Sequence, residues 1–159
     1  MSTYFPRNHA FLAAALVGAA LSATAQAATP TYLGAWRIES AVMAPWAYAG
    51  RSDAAEKARL LGKTVTLLPR AIAGPEPFAC RGPHYKLVDY GPDILFQGAL
   101  EERHDANPKV TAAGLAASLG FVGASWKTLD TGCELDWHFV GPATVKIGLN
   151  NYVYTLTKH

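Results

Sequence analysis

CELDWHFVGPATVKIGLNNYVYTLT, residues 133–157, decides the fold. On an extended chain Cys133, Leu135, Trp137 and Phe139 share one face, and Glu134, Asp136 and His138 share the other. After Gly141-Pro142, Val145, Ile147 and Leu149 alternate with Thr144, Lys146 and Gly148. A period of two marks a half-buried strand. Asn150-Asn151 supplies a tight turn, because asparagine tolerates positive φ, and Tyr152 to Thr157 follows as a third strand. The three segments read as an antiparallel meander, with the face of Glu134, Asp136 and His138 toward solvent.

Working outward, Leu33 to Val42 alternates Trp36, Ile38 and Ser40 against Arg37 and Glu39, and reads as the first strand. Ser52 or Asp53 caps a short helix through Leu61, with Glu56 near its start and Gly62 as its stop. Lys63 to Leu68 and His84 to Val88 read as strands. Between them Pro69 to Pro83 holds four prolines and two glycines and reads as a loop in which no regular ladder continues. Tyr90-Gly91-Pro92-Asp93 is a turn into Ile94-Leu95-Phe96, and Glu101 to Lys109 is a polar connection. Val110 to Leu119 reads as a second helix, entered near Asn107-Pro108 and ended by Gly120. From Val110 to Trp126 no residue is charged, so this helix is expected to pack by its small residues across the sheet; a mobile lid or a partner surface is the alternative. The fold class is therefore α+β and β-rich: an antiparallel barrel or strongly curved sheet with two short helices and one disulfide.

Residues 1–27 carry the marks of a secretory signal peptide: Arg7 and no acid, an apolar run from Ala10 to Leu21, and Ala25-Gln26-Ala27 as the cleavage site. The apolar run is shorter than the roughly 20 residues that span a bilayer, so it is an address rather than an anchor. Residues 28–159 then form one domain, periplasmic or secreted. Removing Arg7 leaves 13 Lys and Arg against 12 Asp and Glu, a balance that argues against nucleic acid as a partner. Cys80 and Cys133 are expected to pair in an oxidising compartment.

No Gly-x-Ser-x-Gly, Walker or His-Glu-x-x-His motif is present. Asp130-Thr131-Gly132 matches the aspartic-protease triplet, but only 27 residues follow it, and it reads as a hairpin turn. Asp136 and His138 share a strand face where acid–base or metal chemistry is conceivable, and His104-Asp105 lies in a polar segment. Neither makes a site on its spacing alone, so no catalytic residue, metal or cofactor is assigned.

Tyr32-Leu33-Gly34-Ala35-Trp36-Arg37-Ile38 resembles the Gly-x-Trp element that opens the first strand of lipocalins and related small β-barrels. Val88-Asp89-Tyr90 is similar to the family's Thr-Asp-Tyr element, with Val in place of Thr, and Lys158 stands after the last strand where the family often has a basic residue. The resemblance implies a barrel whose base Trp36 plugs. The leading expectation is a non-catalytic exported binding protein that holds a small apolar or amphipathic ligand against Trp36, Trp46, Tyr48 and Phe96. Two alternatives stand beside it. One is an inhibitor of an exported hydrolase, a protease or lysozyme, acting through Pro69–Pro83 or the uncharged helix. The other is a small hydrolase or metal enzyme built on Asp136, His138 and His84, which requires those side chains to converge.

Overall fold

The computed structural model describes Met1 and residues 30–47 and 53–159; residues 2–27, read above as a signal peptide, and Tyr48 lie outside the described residues. In chain order the elements are β1 (Gly34–Met43), α1 (Ala54–Leu60), β2 (Thr64–Leu68), β3 (Ala71–Ala73), β4 (Cys80–Arg81) and β5 (Lys86–Tyr90). A 3₁₀ turn (Leu95–Gly98), α2 (Ala99–Ala106) and α3 (Ala112–Ser118) follow, then β6 (Trp126–Asp130), β7 (Trp137–Gly141), β8 (Thr144–Leu149) and β9 (Tyr152–Lys158). The strands form one antiparallel sheet in the order β4-β3-β2-β1-β9-β8-β7-β6-β5, curled into a half-barrel. Two meanders, β1 to β4 and β5 to β9, are joined along β1 and β9.

The edge strands β4 and β5 do not pair with each other, and the seam is tied by other means. The Cys80–Cys133 disulfide links β4 to the turn after β6, with the two Cα atoms 6.5 Å apart. Tyr85 Oη, just before β5, donates across the seam to Leu68 O at the end of β2 at 2.9 Å, while His84 N–H extends the β5–β6 pairing by a bond to Thr131 O at 2.8 Å. Burial and then the neighbouring Tyr32 push the Tyr85 phenol up to about 12, so it stays a donor at any ordinary pH. Tyr85 thus ties the chain entering β5, which begins at Lys86, to the end of β2.

The Pro-rich segment departs from the expected loop. It holds β3 and β4, because its prolines fall outside both strands: Pro69 in the β2–β3 turn, Pro75 and Pro77 between β3 and β4, and Pro83 beyond β4. The backbone donors of Ala71–Ala73 are therefore free for a ladder. Phe78 folds back, 3% exposed, with its ring against Tyr154 at 6.2 Å. The second departure is α2, a third helix in the segment read as polar. Leu100 is its one buried side chain in the core, too few to create a readable period, while Glu101 and Glu102 at its start and Arg103 and His104 at its end suit the helix dipole.

Alternation along the strands divides the buried side chains between two faces. The inner face gathers Trp36, Ile38, Leu67, Leu129, Trp137, Ile147, Tyr154 and Leu156, covered by Leu60 of α1. The outer face of β7–β9 carries a second core, in which Leu95, Phe96, Leu100, Ala112, Ala116 and Phe121 from the helical segment meet Ala44, Trp126 and Val153. The small-residue helix thus packs as expected, capped by Thr111 Oγ1, which accepts from Gly114 N–H at 3.0 Å. A bulge joins the two faces. β1 pairs Ile38 with Leu156 and then Ser40 with Thr155, so Glu39 is the extra residue and the alternation reverses. Ser40, expected inside, is exposed; Ala41 turns inward, and Ala44 reaches the outer core.

Trp36 fills the inner face. It is wholly buried, donates from Nε1 to Tyr32 O at 2.9 Å, and stands edge-on to both Trp137 and Phe139 at 5.9 Å. Tyr154 is equally buried, and its hydroxyl has no hydrogen-bond partner. An unsatisfied buried hydroxyl costs free energy that the same shape without oxygen does not. Tyr154→Phe is therefore expected to gain about 1 kcal/mol, read as a rise of a few degrees in Tm. A fall in Tm would show that the hydroxyl has a partner in solution.

Candidate functional site

A cleft of about 340 Å³ opens between the outer face of β7–β8 and the helical layer. Trp46 and Phe96 line it together with Gln97 and Glu102 from the helical layer, Glu134, Asp136 and His138 around β7, and Gly148 and Asn150 at the end of β8. Trp46 arrives through the segment that follows the reversed end of β1. Ala44 N–H donates to Asn151 O and Trp46 Nε1 donates to Asn150 O, each at 2.9 Å, so the indole is fixed against the β8–β9 turn. Its ring lies 5.1 Å from that of Phe96.

Gly148 makes this packing possible. A Cβ there would lie 2.9 Å from Phe96 Cδ1 and 3.2 Å from Trp46 Cζ2, closer than side chains tolerate. The two rings occupy the space above β8 that any side chain would take. Gly148→Ala is expected to push both rings outward and cost about 1–3 kcal/mol, as overpacking does. Urea unfolding measures the cost and Trp46 fluorescence reports the shift; a neutral substitution with unchanged emission would contradict this packing.

His138 anchors the floor. It was expected on a solvent face, yet it is 1% exposed, because the outer face is roofed by the 3₁₀ turn and by Phe121 rather than by water. Phe96 N–H donates to its Nε2 at 3.1 Å, and its Nδ1 lies 2.9 Å from Thr128 Oγ1. A nitrogen that accepts from a backbone N–H carries no proton, so Nδ1 holds the ring's hydrogen and donates to Thr128. Burial pushes the imidazole down to about 3, so the ring is neutral through the whole physiological range.

The bond from Phe96 restrains an unusual backbone. Phe96 (φ 55°) and Gln97 (φ 59°) are both left-handed without being glycine, and Gly98 follows at φ 85°. Left-handed geometry costs roughly 1–2 kcal/mol per ordinary residue. His138 holds Phe96 there, and Gln97 Nε2 donates to Glu134 O at 2.9 Å. Consecutive strained residues that line a cleft are a feature of binding sites.

Of the residues expected to hold a ligand, Trp46 and Phe96 come together in this cleft, Trp36 lies in the inner core away from it, and Tyr48 is outside the described residues. Asp136 and His138 share the cleft, while His84 lies beside Asp130 and Gly132 in a groove at the seam. Gly148 and Gln97 are site residues that the sequence reading does not single out, and His138, weighed there for chemistry with Asp136 and His84, lies in the floor of the cleft. One sequence signal pointed to them: Gly148, Val153 and Val140 are non-polar on the face assigned to solvent. Asp130-Thr131-Gly132 is the expected turn, with Gly132 N–H donating to Asp130 Oδ1 at 2.8 Å. A second, more apolar groove of about 530 Å³ is lined by Tyr32, Leu87 of β5, Trp126 of β6 and Phe139 of β7 among others.

No family model matches the chain, and comparison with curated proteins and with solved structures finds no match. The site's own chemistry therefore carries the functional argument. Among the described residues no helix is long and apolar enough to cross a membrane, and no three His, Cys, Asp or Glu side chains converge as a metal centre. The disulfide is consistent with an oxidising, exported compartment.

Proposed function

We propose that this chain is an exported, non-catalytic binding protein that holds a small amphipathic ligand in the cleft above β8, against Trp46 and Phe96. The observation that carries the reading is the pair of aromatic rings seated over Gly148 on a floor fixed by His138. A volume of about 340 Å³ is within the range of small-molecule sites, which combine apolar walls with a few polar groups. His138 has both ring nitrogens engaged within the protein and resists protonation, so it is suited to holding the floor rather than to moving protons. The hydrolase reading needs His84 beside Asp136 and His138, and His84 faces the seam instead. In the two segments that the inhibitor reading invokes, Phe78 anchors the Pro-rich hairpin and Ala112 and Ala116 anchor α3 to the core.

Periplasmic or secreted placement, with the signal peptide removed, belongs to the same proposal. So does the lipocalin likeness, whose Trp36 lies under Lys158, with Nζ 5.7 Å from the ring centre. The test is a fragment screen of amphipathic molecules observed by ¹H–¹⁵N NMR. Hits are expected to move the Trp46 indole and Gly148 resonances together. Hits confined to Leu87 and Phe139 would place binding in the apolar groove that also holds Tyr32 and Trp126, and would overturn the cleft as the site.

A further inference from the structure

We propose that the cleft selects a small organic cation, an ammonium or amidinium group on an apolar body, with the charge toward Asp136 and the body against Trp46 and Phe96. The inference rests on the binding reading above and adds the ligand's charge to it.

Every charged side chain that lines the cleft is a carboxylate: Glu102, Glu134 and Asp136, with no Lys or Arg among the described lining residues. The ion pairs among the described residues lie elsewhere, joining Glu39 to Arg37 and His159, and Asp89 to Lys127. Among the described residues, therefore, no ion pair joins the three cleft carboxylates to a cation. Lys146 is on the same face of β8 as Gly148, but its Nζ donates to Thr155 Oγ1 at 2.8 Å and it does not line the cleft. His138 adds no charge, because its nitrogens are engaged and the ring is neutral.

The aromatic lining is an independent second feature. The faces of Trp and Phe carry negative potential and attract a cation, more strongly where water is displaced. Rings beside carboxylates therefore favour the same sign of charge, and they disfavour an anion. Asp136 behaves accordingly: burial, and then the nearby Asp130, hold its carboxyl above the usual range. A carboxylate in that position gains from a cation placed beside it.

The test uses one apolar body with three heads: 4-phenylbutylamine, 4-phenylbutan-1-ol and 4-phenylbutyrate, each titrated into the disulfide-bonded chain by ¹H–¹⁵N NMR at pH 7. The amine is expected to shift the Trp46 indole and Gly148 amide, to bind at least tenfold more tightly than the alcohol, and to leave the butyrate without effect. Asp136→Asn is expected to bring the amine down to the alcohol's affinity, with Glu134→Gln giving a smaller loss. If the alcohol binds as tightly as the amine, the charge inference is overturned while the cleft remains the site. If none of the three moves those resonances at millimolar concentration, both the charge inference and the cleft reading fall.

Discussion

Replacing Cys80 and Cys133 together by alanine is expected to cost about 2–4 kcal/mol, read as a lower urea midpoint. The loop-closure model gives about 4 kcal/mol for a link across 53 residues, an upper figure because residual structure in the unfolded chain lowers it. The reason lies in the sheet. Its edges β4 and β5 never exchange a ladder, so the curl is held by the disulfide and by the Tyr85 hydroxyl on Leu68 O. Without the sulfur link the seam keeps the Tyr85 hydrogen bond, worth about 1 kcal/mol. The reduced wild type is expected to behave like the double variant. A loss below about 1 kcal/mol in both would mean that the half-barrel curls without its fastening.

His138→Leu is expected to be nearly as costly, about 2–4 kcal/mol, because it leaves Phe96 N–H and Thr128 Oγ1 without their partner in a buried site. The wild-type protein carries a second signature of the same residue. The folded-state pKa, about 3, is below the ordinary value of 6.5, so the unfolded chain takes up this proton first as the pH falls. The stabilisation is complete above pH 6.5 and drains away between about 6.5 and 3, with a slope approaching about 1.4 kcal/mol per pH unit. His138→Leu is expected to lose this part of the slope. Unfolding midpoints at pH 7, 5 and 4 for both proteins check it. Parallel curves would show that another group drives acid unfolding.

The meander at the C-terminal end was legible because its signals agree at each level. Trp137, Ile147 and Tyr154 do share the inner face, and Asn150 turns at φ 51° as an asparagine turn should. The disulfide was legible from the cysteine count alone. Strand alternation states which residues share a face; it does not state what covers that face. Hence His138 was assigned to water although the uncharged helix expected across the sheet needed a surface to cover, and Gly148 and Val153 supplied one. Ser40 was misplaced for a different reason, since one inserted residue at Glu39 reverses the pattern without any mark in composition. The same bulge precedes the segment that brings Trp46 to Phe96, so half of the aromatic site depends on an irregularity that periodicity does not reveal. Trp36 differs: a tryptophan on the inner face of a nine-strand sheet meets Trp137 and Phe139 and leaves no space for a ligand.

The cleft as a place where a small molecule resides is tested most directly by native mass spectrometry of the protein purified, without added ligand, from the cells that make it. The wild type is expected to carry additional mass of a few hundred daltons that collisional heating removes, in line with a cleft of about 340 Å³. Gly148→Leu, folded by circular dichroism, is expected to arrive bare. An added mass retained equally by both proteins, or absent from both, would contradict a ligand seated between Trp46, Phe96 and β8.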